Sequence, residues 1–132
     1  MIRIEKIESK KDFKVFAAFA NRLYSENPYY VPELVSDVLA SMNPKSNPAF
    51  EFCDVAYYLA YNHSNEVVGR LGVILNRKSN QKWNQKYVRF TSFDFVDDYA
   101  VSSALLETGI AWAKEHGMET LHGPLGFTDL DH

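Results

Sequence analysis

The chain has 132 residues, 46% hydrophobic and 14% aromatic, which suffices for one domain that buries roughly two thirds of its unfolded surface without staples. Fourteen basic residues against seventeen acidic leave a formal charge of −3, and no cluster of Lys and Arg interrupts an aromatic run, so nucleic acid is excluded as an expected partner. A single cysteine, Cys53, excludes an internal disulfide, and no segment has the apolar length of a secretory h-region or a membrane span; the expectation is a cytoplasmic protein with no membrane partner.

Ile2, Ile4 and Ile7 alternate with Arg3, Glu5 and Lys6 and predict a half-buried first strand. Ser9, with Asp12 three residues on, predicts a capping box in which each side chain meets the other residue's backbone N–H. Phe13, Phe16, Ala17, Ala20, Leu23 and Tyr24 then share one side of a helix that Asn27-Pro28 ends. Pro32 suits the first position of a second helix, with Leu34, Val35, Val38, Leu39 and Met42 as its buried stripe. The polar run 43–48 carries two prolines and predicts a loop.

Asp54 to Tyr61 and Glu66 to Leu75 are dense in Val, Tyr and Leu and flank Asn62-His63-Ser64-Asn65, the pattern of an antiparallel hairpin. Gly69 and Gly72 leave two gaps in the second strand and predict a bulge or the close approach of another backbone. Asn76 to Lys86, with Arg77, Lys78, Lys82 and Lys86 around Trp83, reads as a solvated loop. A strand, a helix and a strand follow. Tyr87 to Val96 is aromatic and β-branched, and Asp97 is the expected N-cap of a helix from Tyr99 to His116. Val101, Ala104, Leu105, Thr108, Ala111 and Trp112 mark the apolar face of that helix, Gly117 its stop, and Thr120 to Leu125 a further strand. A helix of this length between two strands is what a parallel crossover requires, and ligands of such units sit at the carboxyl end of the first strand, here Phe95 to Asp98. No repeat or linker divides residues 1–132, which read as one domain.

Few residues carry chemistry of their own. Cys53 follows an aromatic run, is expected to have no nearby basic residue that would lower its pKa, and reads as a buried structural thiol. His63, His116, His122 and His132 lack metal-ligand spacing, and no metal site is expected. Asp94, Asp97 and Asp98 have the chemistry of a base or a cation ligand, but capping explains Asp97 and solvent exposure Asp98. Glu51 and Asp54 read as a solvated pair. Tyr29, Tyr30, Tyr57, Tyr58 and Tyr61 are numerous enough to line a pocket, although tyrosines along a strand ordinarily divide between core and surface.

The order of elements resembles that of the GNAT acyl-CoA N-acyltransferase superfamily. Glu66-Val67-Val68-Gly69-Arg70-Leu71-Gly72 is similar to that family's third strand. Phe95-Val96-Asp97, with Ala104-Leu105-Leu106-Glu107 and Ala111 to Met118, is similar to its fourth strand and third helix. Asn27-Pro28-Tyr29-Tyr30-Val31-Pro32-Glu33-Leu34, Asn47-Pro48-Ala49-Phe50 and His122-Gly123-Pro124-Leu125-Gly126-Phe127 together resemble the amino-terminal part of longer bacterial GNAT-like proteins. The resemblance implies a mixed α/β domain with helices on both faces of a central sheet, of which this chain supplies the first five strands and is incomplete at its carboxyl end. It implies transfer of an acyl group from acetyl-CoA or another acyl-CoA to a small-molecule or protein amine. Asp94, Phe95 and Val96 would line the strand edge that holds the donor, and Ser102 and Ser103 the adjoining helix start; it assigns no catalytic residue. Where the family holds pyrophosphate on a Gly-rich loop, this sequence has Asp97-Asp98-Tyr99-Ala100-Val101-Ser102-Ser103, without Gly and with two carboxylates that repel a pyrophosphate. The competing expectation is therefore a non-catalytic GNAT-derived module that binds a small ligand, a second copy of itself or a missing carboxyl-terminal domain.

Overall fold

The computed structural model describes residues 2–29, 35–36, 39, 53–83, 86–118 and 120–122. In chain order the elements are β1 (Arg3–Lys6), α1 (Lys10–Leu23), β2 (Cys53–Tyr61), β3 (Val67–Asn76), α2 (Arg77–Trp83), β4 (Tyr87–Phe95), α3 (Tyr99–Glu115) and β5 (Thr120–His122). Strands 1 to 5 lie side by side in sequence order; the first four are mutually antiparallel, and β5 joins β4 in parallel. The expected mixed α/β architecture and the parallel crossover are both present. The greater part of the second helix, the whole loop at 43–48, Glu51 and the last expected strand residues 123–125 lie outside the described residues; Val35, Ser36 and Leu39 are helical.

Alternation along β2 divides the core. Tyr57 and Leu59 pack with Ile7 and Phe16 on the α1 face. Ala56, Tyr58 and Ala60 pack with Leu71, Val73, Val88 and the α3 residues Val101, Leu105, Trp112 and Ala113 on the other. A sheet covered on both faces has apolar residues at successive positions, which is why Val68 to Ile74 are buried almost without interruption. Gly69 is where α3 comes closest: a Cβ there would lie 2.8 Å from Leu105 Cδ1 and 2.9 Å from Val101 Cγ1.

The hairpin and helix ends follow local chemistry. Asn62 Oδ1 accepts from Ser64 N and Glu66 N, while Asn65 takes φ +61° to close the turn between β2 and β3. Ser9 Oγ accepts from Asp12 N at 3.1 Å and starts α1, as its spacing predicts. That helix stops at Leu23, earlier than Asn27-Pro28 requires, with Tyr24 N bonded to Ala20 O and a turn running on to Glu26. The start of α3 is capped by Asp98 rather than Asp97. Asp98 is the extended residue next to the first turn (φ −149°, ψ 114°), and its carboxylate accepts from Ala100 N at 2.9 Å. Gly117 at φ +72° ends α3 as expected.

Two further differences stand out. Residues 77–83, read from composition as a loop, form the helix α2; no Gly or Pro opposes it, and Asn80 Nδ2 anchors it by donating to Tyr87 O at 2.9 Å. On α3, Ala111 is exposed while Gly109 is buried, because the face turned to the sheet runs through Val101, Leu105, Gly109, Trp112 and Ala113.

Strands β3 and β4 slip by one residue. Arg70 pairs with Asp94 but Gly72 with Thr91, so Leu71 stands opposite both Ser92 and Phe93, and Ser92 has φ +51°. The glycines of β3 predicted an irregularity here; its extra residue lies on the partner strand.

The close approach at Gly69 is open to test. Gly69→Ala should destabilise the protein by about 1–3 kcal/mol, read as a lower urea midpoint at constant m. An unchanged midpoint would show that α3 can shift to make room.

Candidate functional site

The end of β4 and the start of α3 form the corner at which a ligand is expected. Its firmest feature lies on the α1 face. Arg70, buried, donates from Nε to Asp94 Oδ2 at 2.9 Å and places Nη2 2.8 Å from the same oxygen. Its Nη1 donates to Phe16 O at 2.7 Å, and its guanidinium lies over the Phe16 ring at 5.2 Å. Tyr24 Oη donates to Asp94 Oδ1 at 3.1 Å. Both carboxylate oxygens of Asp94 are thereby occupied, so its side chain contributes structure rather than a free base.

Beyond Asp94 the backbone divides its bonds. Val96 N donates to Val68 O at 2.9 Å, across to β3. By the alternation of a strand, the N–H and C=O of Phe95 point the other way, toward the side on which β5 lies. Among the described residues, β5 pairs with β4 only at Tyr87, Val88 and Arg89, and the edge from Phe90 to Phe95 has no strand partner on that side. The structure thus brings Asp94, Phe95 and Val96 together at one strand end, with Phe95 offering backbone groups at its edge. Ser102 and Ser103 lie half-buried in the first turns of α3.

That helix start does not fit the pyrophosphate of coenzyme A. A phosphate at a helix amino terminus needs free N–H groups and positive potential. Here the Asp98 carboxylate takes Ala100 N, the Asp98 carbonyl accepts from Val101 N at 3.0 Å and Ser102 N at 3.3 Å, and the Ser102 hydroxyl donates to Tyr99 O at 3.1 Å. Asp97 and Asp98 are exposed and add two negative charges at the same place.

The remaining candidates separate. Tyr57 faces α1 and Tyr58 faces α3, Tyr61 lies under the Arg3 guanidinium at 4.7 Å, Tyr29 is exposed, and Tyr30 lies outside the described residues. Tyr57 and Tyr58 thus stand on opposite faces of the sheet and line no common pocket. Among the described residues the buried Tyr57 hydroxyl has no hydrogen-bond partner, and burial pushes its pKa well up. Asp54 is paired with Arg77 Nη1, a bridge sequence reading missed because α2 was unforeseen. Cys53 is buried as expected, but basic residues do lie near it: burial pushes its thiol up to about 11 and Asp54 adds to the shift, while Arg77 and Arg89, brought close by the fold, partly offset it. Among the described residues, no group of three or more His, Cys, Asp or Glu is placed to hold a metal ion, and no helix is long and apolar enough to cross a membrane.

No protein-family model matches the sequence. Over 116 residues it is 27% identical to Protein YghO of Escherichia coli K12, covering 88% of this chain and 29% of that protein. Over 123 residues it is 24% identical to the Bacterial ceramide synthase of Caulobacter vibrioides, covering 92% of this chain and 32% of that one. The chain therefore spans about a third of the length of the curated relatives it matches. Among solved structures, a tandem GNAT protein from the clavulanic acid biosynthesis pathway superposes with a TM-score of 0.69 at 15% identity, over 92% of this chain and 35% of that one. A predicted acetyltransferase from Clostridium acetobutylicum, solved with acetyl-CoA, superposes with a TM-score of 0.65 at 12% identity, over 96% and 82%. At these identities the likeness shows the fold, and the fold is that of the GNAT acetyltransferases.

Two outcomes follow from the site's chemistry. Arg70→Met and Asp94→Leu should each cost about 3 kcal/mol, since each strands the partner's charge, while the double variant should lose clearly less than the sum. Additive losses in denaturant titrations would mean that the pair is not coupled. Because the folded pKa of Cys53 lies above its ordinary value, the neutral thiol is favoured. The stability this lends is complete below the ordinary value near 9.0 and is lost as pH rises toward 11. At pH 8 a thiol reagent should label Cys53 only after denaturation; rapid labelling of the native protein would contradict that.

Proposed function

We propose that this chain, carrying the GNAT acetyltransferase fold, supplies the donor-binding part of an N-acyltransferase domain that joins an acyl group held as a thioester to an amine. The observation that carries the reading is the edge of β4. There, among the described residues, a bulged strand pairs with its parallel neighbour at Tyr87, Val88 and Arg89, and farther along Phe95 turns its backbone groups to the same side, at the place where a GNAT fold receives an amide-containing donor arm. Two comparisons lend support. The Clostridium acetobutylicum neighbour was solved with acetyl-CoA, and a ceramide, the product named in the Caulobacter vibrioides relative, is by definition an amide of a long-chain amine.

Phe95 with its neighbours Asp94 and Val96 would border the donor arm, and Ser102 and Ser103 would stand at the helix start beside it. The acceptor side of the site belongs, in this reading, to further sequence of a longer polypeptide or to a second copy of the chain. The setting is cytoplasmic, in keeping with a buried, reduced Cys53.

A second reading is favoured by one observation, the Asp98 carboxylate occupying the helix start where pyrophosphate would sit. Under it the domain is a non-catalytic GNAT-derived module that has kept the fold for binding.

Calorimetric titration with acetyl-CoA, with free coenzyme A as the control and at low and moderate salt, separates the two. The acyltransferase reading expects one-to-one binding in the micromolar range, followed by acyl transfer in a screen of amines. No heat and no change in melting temperature would leave the binding module as the answer.

A further inference from the structure

Three phenylalanines of β4 end up on one face only because of the bulge. In an unbroken strand Phe90 would face one way, and Phe93 and Phe95 the other. The extra residue at Ser92 reverses the alternation, as the register shows: Phe90 stands beside Val73 and Phe95 beside Gly69, both on the α3 face. Phe93 joins them, its ring 5.5 Å from Phe90 at 89° and 4.8 Å from Phe95 at 41°. The same reversal turns Asp94 to the opposite face, where Arg70 holds it. The α3 face of β4 therefore carries an uncharged aromatic strip from Phe90 to Phe95, about 15 Å long. All three rings are only half-buried, although they border a core in which Val88, Leu71 and Val73 are fully buried.

From this strip we infer that the site takes a long alkyl chain, the acyl tail of the thioester, laid along Phe90, Phe93 and Phe95. The inference rests on the acyl-transfer reading and names its donor class. Two features select this occupant. The strip borders the same strand edge that offers Phe95 backbone groups, so amide-bonding groups and apolar surface adjoin, as they do in a thioester with an amide arm and a hydrocarbon tail. No charged side chain shares that face of β4 from Phe90 to Phe95, so a short acyl group would leave the strip wet and a charged ligand would gain nothing from it. The strip also answers the misfit at α3: apolar contact supplies attraction to a donor whose pyrophosphate the acidic corner repels.

Titration with acetyl-CoA, octanoyl-CoA and the octanoyl thioester of N-acetylcysteamine, which has no nucleotide, tests the assignment. The chain should bind octanoyl-CoA at least about tenfold more tightly than acetyl-CoA, since each fully buried methylene contributes about fourfold. It should also bind the nucleotide-free thioester. Phe93→Ala should remove most of the octanoyl preference and leave acetyl-CoA binding unchanged. If that variant does not fold, Phe93→Trp provides the readout, its added emission shifting to the blue with octanoyl but not acetyl thioesters. Equal affinity for acetyl-CoA and octanoyl-CoA would overturn the inference while leaving the acyltransferase reading in place. That result together with a dimer in sedimentation would assign the strip to contact between copies. An octanoyl preference retained in Phe93→Ala would place the chain elsewhere and overturn it as well. Binding of none of the three compounds would remove the acyltransferase reading and this inference with it.

Discussion

The geometry of this domain depends on one buried cation. Arg70 stands on the second hairpin strand almost wholly buried, so its charge must be met from within the protein. Asp94 meets it from β4 and the Phe16 carbonyl from the middle of α1, while the Phe16 ring covers its face. One side chain thereby fixes the distance between helix, strand and strand. A hydrophobic residue of similar volume would fill the space without specifying which carboxylate or carbonyl lies opposite.

That constraint accounts for the shape of β4. Asp94 can reach Arg70 only if it lies on the α1 face, and the bulge with Ser92 at φ +51° places it there. A left-handed serine costs of order 1–3 kcal/mol and persists where its surroundings hold it. Here they do so from both sides: a charge pair on one face and three packed phenyl rings on the other. The site's polarity is thus set by register, with carboxylate and hydrocarbon sorted to opposite faces by a single extra residue. At the far corner the same economy fails for a nucleotide, because Asp98 satisfies the helix start internally and leaves little for an outside anion.

Much of this was legible in the residue order. Periods of two and 3.6, the Asn-rich turn and Gly117 suffice to place strands, hairpin and the long helix, because each is decided by neighbours close in sequence. Gly69 and Gly72 announced a bulge or the close approach of another backbone; the bulge exists, with its extra residue on β4, whereas what crowds Gly69 is the Val101 and Leu105 side chains of α3. What sequence reading could not supply was long-range partnership. Nothing near Arg70 names Asp94, 24 positions away, or Phe16, 54 positions away, and without that pair the bulge has no assignable strand. Two adjacent aspartates offer the same capping chemistry, and only the backbone path selects Asp98. The helix at 77–83 was hidden by a composition equally suited to a loop. Its anchor, Asn80 on Tyr87 O, is a contact that composition does not encode. The candidate strand end was found by topology alone, whereas the aromatic strip was invisible, since unbroken alternation would have split it.

The separations that hid these contacts also order the way the domain comes together. Strands β2, β3 and β4 form a meander whose pairings join segments near in sequence, whereas α1 is held through bonds that close far longer loops. The entropy of closing a loop grows with its length, so the meander gains its contacts early and α1 arrives late. The cost of releasing it is set by the apolar side chains it buries, Phe16, Ala17, Phe19 and Ala20, together with the charge it covers. Release of α1 would hydrate Arg70 and Asp94 and bare Tyr57 and Leu59 on the same face of the sheet, so the buried charge acts as a latch that the apolar contacts around it reinforce.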